Sequence, residues 1–305
     1  MKSLAFLKPA LALAGLCAIA LGGRVASSNT EISVGGTTAV YGQVPPDQVE
    51  FLSTKERILS VARGGTPSTI WEALEHGERV ECMECIPAVA PLLYDDTAET
   101  REIAAWWLRR RIFGVFGEGE IYQQTLQVLK SDPAPKRRAR AAEALGEFLA
   151  TPGVDACAEA IAKDGEPLVR AAAARALGRL NDDGKGALSQ ALVDADKTVR
   201  LAALRSAGRI NAFNDTTTLV KLTADGDAVV RKRAAEVLGA HRAKDAVGAL
   251  VNVAQNDADA DVRGAACHAL GALGDAAARP ALEAAAAKDP STFVRDLAQI
   301  ALRRL

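Results

Sequence analysis

The chain has 305 residues, 25 % of them charged, a formal net charge of −1, and 49 % hydrophobic but only 4 % aromatic residues. So balanced a charge gives no electrostatic reason to expect nucleic-acid binding, and alanine-rich stretches with few β-branched runs exclude an all-β fold. Length alone suggests about two globular domains, a reading that the internal repetition described below replaces.

Lys2 and Lys8 lead into an apolar run from Pro9 to Gly23 that is broken only by small residues. The run is shorter than the roughly 20 apolar residues of a membrane-spanning helix. A basic start, an apolar middle and small residues after it form the pattern of a secretory signal, so residues 1–27 read as a signal peptide. Ala20-Leu21-Gly22 and Val25-Ala26-Ser27 both offer a cleavage site, while Leu16 before Cys17 makes a poor lipoprotein box. An uncleaved anchor is the alternative. Without these residues the chain carries 34 basic against 38 acidic side chains, net −4, and keeps Cys82, Cys85, Cys157 and Cys267. The expected location is the periplasm or cell envelope, where disulfides persist, with no stable membrane insertion after cleavage.

Residues 28–46, with Ser, Thr, Gly, two prolines and no apolar period, read as a flexible tether. Residues 47–85 read as an N-terminal helical cap. A helix is predicted from Asp47 to Arg63 and ends at Gly64-Gly65. Thr66-Pro67 then supplies an N-cap and a proline at the first helical position, opening a second helix through Ile70, Trp71 and Leu74.

From residue 86 onward one motif recurs. An aspartate is followed six residues later by an arginine in the pairs Asp95/Arg101, Asp132/Arg138, Asp164/Arg170, Asp194/Arg200, Asp225/Arg231, Asp257/Arg263 and Asp289/Arg295. Successive arginines lie 37, 32, 30, 31, 32 and 32 residues apart, a period that marks a stacked repeat array. Thr97, Asp196, Asp227, Asp259 and Ser291 stand four residues before their arginines as capping types, and Pro135 and Pro167 fit the first helical position, where a missing N–H costs nothing. The second helix of each unit is therefore predicted to start near residues 98, 135, 167, 197, 228, 260 and 292. Gly146, Gly178, Gly208, Gly239 and Gly271 fall eight residues after the arginine. Glycine costs about 1 kcal/mol inside a helix, so its recurrence predicts either close helix approach or the closing turn.

The pattern Asp-x5-Arg-x-x-Ala-Ala-x-Ala-Leu-Gly resembles HEAT repeats, in the short form also found in phycobilin lyases, over residues 86–305. The resemblance implies an all-α protein: an α-solenoid, a right-handed superhelix of about seven HEAT-like helix pairs, behind the helical cap. It implies that the second helices line the concave face. It implies no single activity, because such arrays are mostly binding scaffolds and fold does not fix function.

Each ladder arginine sits near a helix N-terminus, where the macrodipole disfavours a cation, so a specific acceptor is expected. The turn aspartate of its own or the next unit, with turn carbonyls, is one reading. A row of arginines that binds an anion is the other.

Cys82-Met83-Glu84-Cys85 is the sharpest local motif. Haem attachment requires histidine after the second cysteine, and Ile86 stands there. Zinc requires about four ligands, of which His76 is a third and Glu81 or Glu84 a weak fourth. Thioredoxin-like chemistry requires a strand–helix context that is not visible. A disulfide that braces the cap against the array is the leading reading, with redox chemistry and a metal site left open beside it. Cys157 and Cys267 read as buried small hydrophobes. His76, His241 and His268 are not followed by glutamate, so the repeated His-Glu pairs of the HEAT-type enzyme deoxyhypusine hydroxylase are not matched.

Ten of the thirteen aromatic residues precede residue 125. Trp106 and Trp107 are followed by Arg109, Arg110 and Arg111, residue types favoured at binding hot spots, although a bulky cap closing the array also accounts for them. The expected function is a non-catalytic scaffold that needs no cofactor or metal. It is expected to bind another protein, not nucleic acid, through the concave face and this aromatic region. A redox-active or metal-dependent accessory protein using Cys82 and Cys85 is the alternative.

Overall fold

The computed structural model describes residues 32–34, 37–39, 54–112, 119–180 and 184–305. The signal peptide, Asp47, Phe113 and Phe116 lie outside the described residues; the helix predicted to run unbroken from Asp47 to Arg63 instead opens at Lys55, because Thr54 is extended and its hydroxyl accepts the Arg57 N–H as an N-cap. Within the expected tether, β1 (Ile32–Val34) and β2 (Thr37–Ala39) pair antiparallel, with Ser33 opposite Thr38.

The cap contains α1 (Lys55–Gly64) and α2 (Pro67–His76). The Thr66 hydroxyl accepts the Thr69 N–H and Pro67 opens α2, which is the predicted capping chemistry. Next come α3 (Cys85–Val89), a 3-10 turn over Ala90–Tyr94, and α4 (Ala98–Ile112). Six regular pairs follow: α5 (Glu120–Ser131) with α6 (Pro135–Phe148), α7 (Pro152–Lys163) with α8 (Pro167–Arg179), α9 (Lys185–Leu192) with α10 (Lys197–Ala207), α11 (Thr216–Leu222) with α12 (Ala228–Ala240), α13 (Val247–Asn256) with α14 (Ala260–Leu273), and α15 (Arg279–Lys288) with α16 (Thr292–Leu302). All seven second helices, α4 to α16, start at the predicted residues. Turn chemistry fixes them locally: Asp196, Asp227 and Asp259 each accept a backbone N–H of the helix they cap.

Packing follows a fixed register along each second helix. Three residues after the arginine stands an alanine in every unit, namely Ala104, Ala141, Ala173, Ala203, Ala234, Ala266 and Ala298, and each is 0 % exposed. Four of the five recurrent glycines lie where neighbouring second helices cross. A Cβ at Gly146 would stand 2.8 Å from the Ala176 Cα, at Gly178 2.9 Å from the Ser206 Cα, at Gly239 2.8 Å from the Ala269 Cα and at Gly271 2.7 Å from the Ala301 Cα. Gly208 is the exception. It follows α10 as a C-cap, and its nearest neighbour is the Val237 Cγ2 at 3.4 Å. Val237 occupies the position that is alanine or serine in the other four joints, so α10 and α12 are held further apart. Because second helices pack on one another more closely than first helices do, they form the inner, concave row.

The ladder arginines join the units. Arg138 donates from Nε and Nη2 to Asp164 of the following unit at 2.7 and 2.9 Å, and from Nη1 to the Asp132 carbonyl of its own unit at 2.8 Å. Arg170–Asp194, Arg231–Asp257 and Arg263–Asp289 repeat this fork at 2.7 and 2.9 Å. Arg200 reaches Asp225 with Nε at 2.8 Å and Nη2 at 3.0 Å. Each acceptor aspartate also receives the N–H two residues on, as Asp194 does from Asp196 at 2.8 Å. One carboxylate therefore closes the turn of its own unit and clasps the arginine of the unit before it.

The two ends differ. Arg101 turns to Glu143 at 3.3 Å, leaving Asp132 to Arg137, across the interval of 37 residues. Asp95 closes its own turn by accepting the Thr97 N–H. Among the described residues Arg295 bonds the carbonyls of Asp289 and Pro290 and no carboxylate. The outer face of α16 carries Asp296, Gln299 and Arg303, where α14 carries Gly264, Cys267 and Gly271, so that face suits water rather than another helix.

Arg200→Met removes the guanidinium from Asp225, whose side chain is 9 % exposed, and leaves it only the Asp227 N–H. The expected cost is about 1.5 to 3 kcal/mol, read as a fall in melting temperature by circular dichroism, with Lys163→Met near zero because its pair with Glu159 is exposed. An unchanged melting temperature for Arg200→Met would show the clasp to be dispensable.

Acid is expected to weaken the same clasp. Burial pushes the pKa values of Asp164, Asp194 and Asp257 up, but the arginine bond and the turn N–H outweigh it and hold all three below 3.8. In Asp289 the Arg263 bond is the largest influence and has the same sign. Since these groups bind protons more weakly in the folded chain, their stabilisation is complete above about pH 5 and falls as pH drops through their folded values. Denaturant midpoints measured from pH 7 to pH 2 should stay level and then decline below about pH 4, with a shallower decline in Asp257→Asn.

Candidate binding face

In each unit the positions five and nine residues after the ladder arginine remain open to solvent, while those three and six residues after it are buried throughout. Five residues after the ladder arginine stand Trp106, Glu143, Arg175, Arg205, Glu236, His268 and Ile300, and none of them is buried. Nine residues after it stand Arg110, Glu147, Arg179, Arg209, Ala240, Ala272 and Arg304, again none buried. Residues four apart lie one turn apart on the same helix face. The two rows therefore form a strip along the concave side. Its chemistry changes from unit to unit, in contrast to the constant alanine beneath it.

The strip has charge structure. Glu143 lies between Arg101 and Arg175, at 3.3 and 3.2 Å, and Glu147 pairs with Arg179. Burial raises the pKa of Glu147, which Arg179 opposes and Glu102 reinforces. These side chains line a cleft of about 230 Å³ between α4, α6 and α8. The strip can be read from sequence once the arginine sets the register; what pairs with what cannot.

The aromatic segment separates into two roles. Trp107 is 0 % exposed and donates from Nε1 to the Gly77 carbonyl at 2.9 Å. Arg111 stacks on Trp107 with its guanidinium carbon 3.5 Å from the ring centroid, and bonds the carbonyls of Trp107, Gly77, Glu78 and Val80. Burial is the main cause that pushes its pKa down to about 10. Both residues fasten the cap to the array and are withdrawn from the surface. Trp106 and Arg109 are half-buried, and Arg110 is exposed and pairs with Glu78 at 3.4 Å.

Cys82 and Cys85 are joined in a disulfide, with Cα atoms 5.2 Å apart and exposures of 6 % and 0 %. It lies at the start of α3, against α1, where the cap meets the array. His76 turns away to the Glu72 carbonyl, with Nδ1 at 2.7 Å. No three His, Cys, Asp or Glu side chains among the described residues come together as a metal site. Cys157 and Cys267 are buried free thiols whose pKa values burial raises to about 12 and about 11. With Cys17 replaced by serine, iodoacetamide at pH 8 is expected to label no thiol in the native chain, two after unfolding, and four after unfolding with reductant. Labelling of Cys82 or Cys85 without reductant would show that the bridge does not form.

No helix among the described residues is long and apolar enough to cross a membrane. A family model described as HEAT repeats matches residues 122–208 and 216–303. No curated protein matches. Among solved structures, the chain is similar to YibA of Escherichia coli, with a TM-score of 0.57 and 17 % identity over 90 % of this chain and 100 % of that one. It is also similar to an archaeal HEAT-like repeat protein from Thermococcus onnurineus, with a TM-score of 0.48 and 15 % identity over 72 % of this chain and 96 % of that one. A third is the complex of CpcE and CpcF of phycocyanin lyase from Nostoc, with a TM-score of 0.40 and 21 % identity over 73 % of this chain and 89 % of that one. These identities speak for the fold alone, and fold does not fix activity. The family match spans more than half of the chain and coincides with the clasped helix pairs: this protein belongs to the HEAT-repeat family.

Proposed function

We propose that the protein is a non-catalytic scaffold of a bacterial-type periplasm or cell envelope that holds another protein against its concave face. The observation that carries this reading is the strip of two rows, solvated in every unit and varied in chemistry, beside the buried alanine that every unit repeats three residues after its arginine. A solvated inward row of varied chemistry suits a surface shaped to one partner. Trp106 and Arg110 extend the strip to the N-terminal end and supply residue types common in binding hot spots. Export rests on the basic, apolar and small-residue pattern of residues 1–27. The Cys82–Cys85 bridge is compatible with an oxidising compartment, and its burial favours bracing over redox exchange.

A photo-crosslinking amino acid placed singly at Trp106, Glu143, Glu236 and His268, in cells of the native host, tests the reading. Discrete protein adducts are expected from these positions in the envelope fraction, and none from Lys130, Asn252 or Glu283 on the first helices. Adducts confined to the first-helix positions, or none from either set, would overturn it.

A further inference from the structure

The strip is not uniform, and its middle carries a charge imbalance that the fold does not resolve. Arg175 and Arg179 lie one turn apart on α8, while Arg205 lies in the last turn of α10 and Arg209 in the turn just after its C-cap, Gly208. These two helices meet where a Cβ on Gly178 would stand 2.5 Å from the Ser206 Oγ. Gly178 precedes Arg179 and Ser206 follows Arg205, so the four guanidinium groups flank one of the closest backbone approaches in the array.

Only half of this charge is answered within the protein. Glu143 and Glu147, both from α6, take Arg175 and Arg179. On the other side α12 offers Glu236 and Ala240 at the matching positions, and Glu236 is held by Arg233 of its own helix at 2.8 Å. Among the described residues no side-chain hydrogen bond or ion pair is formed by Arg205 or Arg209, and both are exposed. The ladder arginine of the same unit, Arg200, five residues before Arg205, by contrast reaches Asp225.

We propose that Arg205 and Arg209, with Arg175 and Arg179 beside them, form the docking site for an acidic segment of the partner protein. This inference rests on the scaffold reading and narrows its partner class. Two arginines four residues apart present planar donor forks that match carboxylates in a bidentate manner, so aspartate or glutamate side chains spaced to face them would satisfy the site. A long polyanion fits less well. The chain as a whole carries net charge −1, and Glu143, Glu147 and Glu236 border the patch, so a nucleic acid running past it meets like charge.

The test uses a fluorescein-labelled twelve-residue peptide of alternating glutamate and glycine and the full chain, followed by fluorescence anisotropy at low salt. Saturable binding is expected, weakened at least about tenfold by Arg205→Glu with Arg209→Glu, and less than about twofold by Lys130→Glu with Lys288→Glu, which change net charge equally. Melting temperatures of both double variants should stay near that of the wild type, since none of the four side chains clasps another unit. Absence of binding to the wild type, equal weakening by the two double variants, or tighter binding of a twelve-residue single-stranded oligothymidine would overturn the proposal. If adducts at Trp106, Glu143, Glu236 and His268 persist while the peptide does not bind, the acidic docking site falls and the scaffold stands. If those adducts are absent, the scaffold reading falls with it.

Discussion

The arginine clasp is the constraint on which the rest of the array depends. A guanidinium near the start of a helix is at the wrong end of the macrodipole, and a carboxylate in a tight turn is partly desolvated. Each defect is cancelled by the other across a unit boundary. The carboxylate also accepts the N–H two residues on, and the arginine also bonds the carbonyl of its own turn. One fork thereby fixes the turn, the helix start and the offset between units, and repetition of that offset sets the course of the superhelix.

Close approach of the second helices follows from that offset. Where glycine faces alanine or serine, the backbones nearly touch and the inner row is drawn in. At Gly208 and Val237 the same register meets a larger side chain, and the joint is wider without loss of the Arg200–Asp225 clasp. Curvature is thus set by small residues at two positions, while linkage is set by charge at two others. Most of the concave strip is used by neither task, although Glu143 receives the ladder arginine Arg101.

The N-terminal end is held by different means. No clasp reaches back from α4, and Arg101 finds Glu143 instead of an aspartate. In compensation, Trp107 and Arg111 bond carbonyls of the 3-10 turn after α2, Asp96 receives Lys136 and Arg140, whose hydrogen bonds hold its pKa down at about 2, and the Cys82–Cys85 bridge stiffens the approach to α3. Of the five residues of binding type in the aromatic segment, Trp107 and Arg111 serve this fastening.

The sequence by itself determined the family, the register and all seven second-helix starts, because capping residues, N1 prolines and the Asp–Arg spacing act over less than two helical turns. It also identified glycine eight residues after the arginine as a contact or a turn, and both outcomes occur. Tertiary structure alone decided between acceptors: the arginine takes the carboxylate of the next unit and the carbonyl of its own, a choice that depends on how units stack. It likewise decided that Trp107 faces inward while Trp106 does not, since adjacent residues on a helix differ by about 100° and composition does not say which points to the core. The isolation of Arg205 and Arg209 was hidden for the same reason: Glu236 is near in sequence pattern, and only the folded register shows Arg233 holding it.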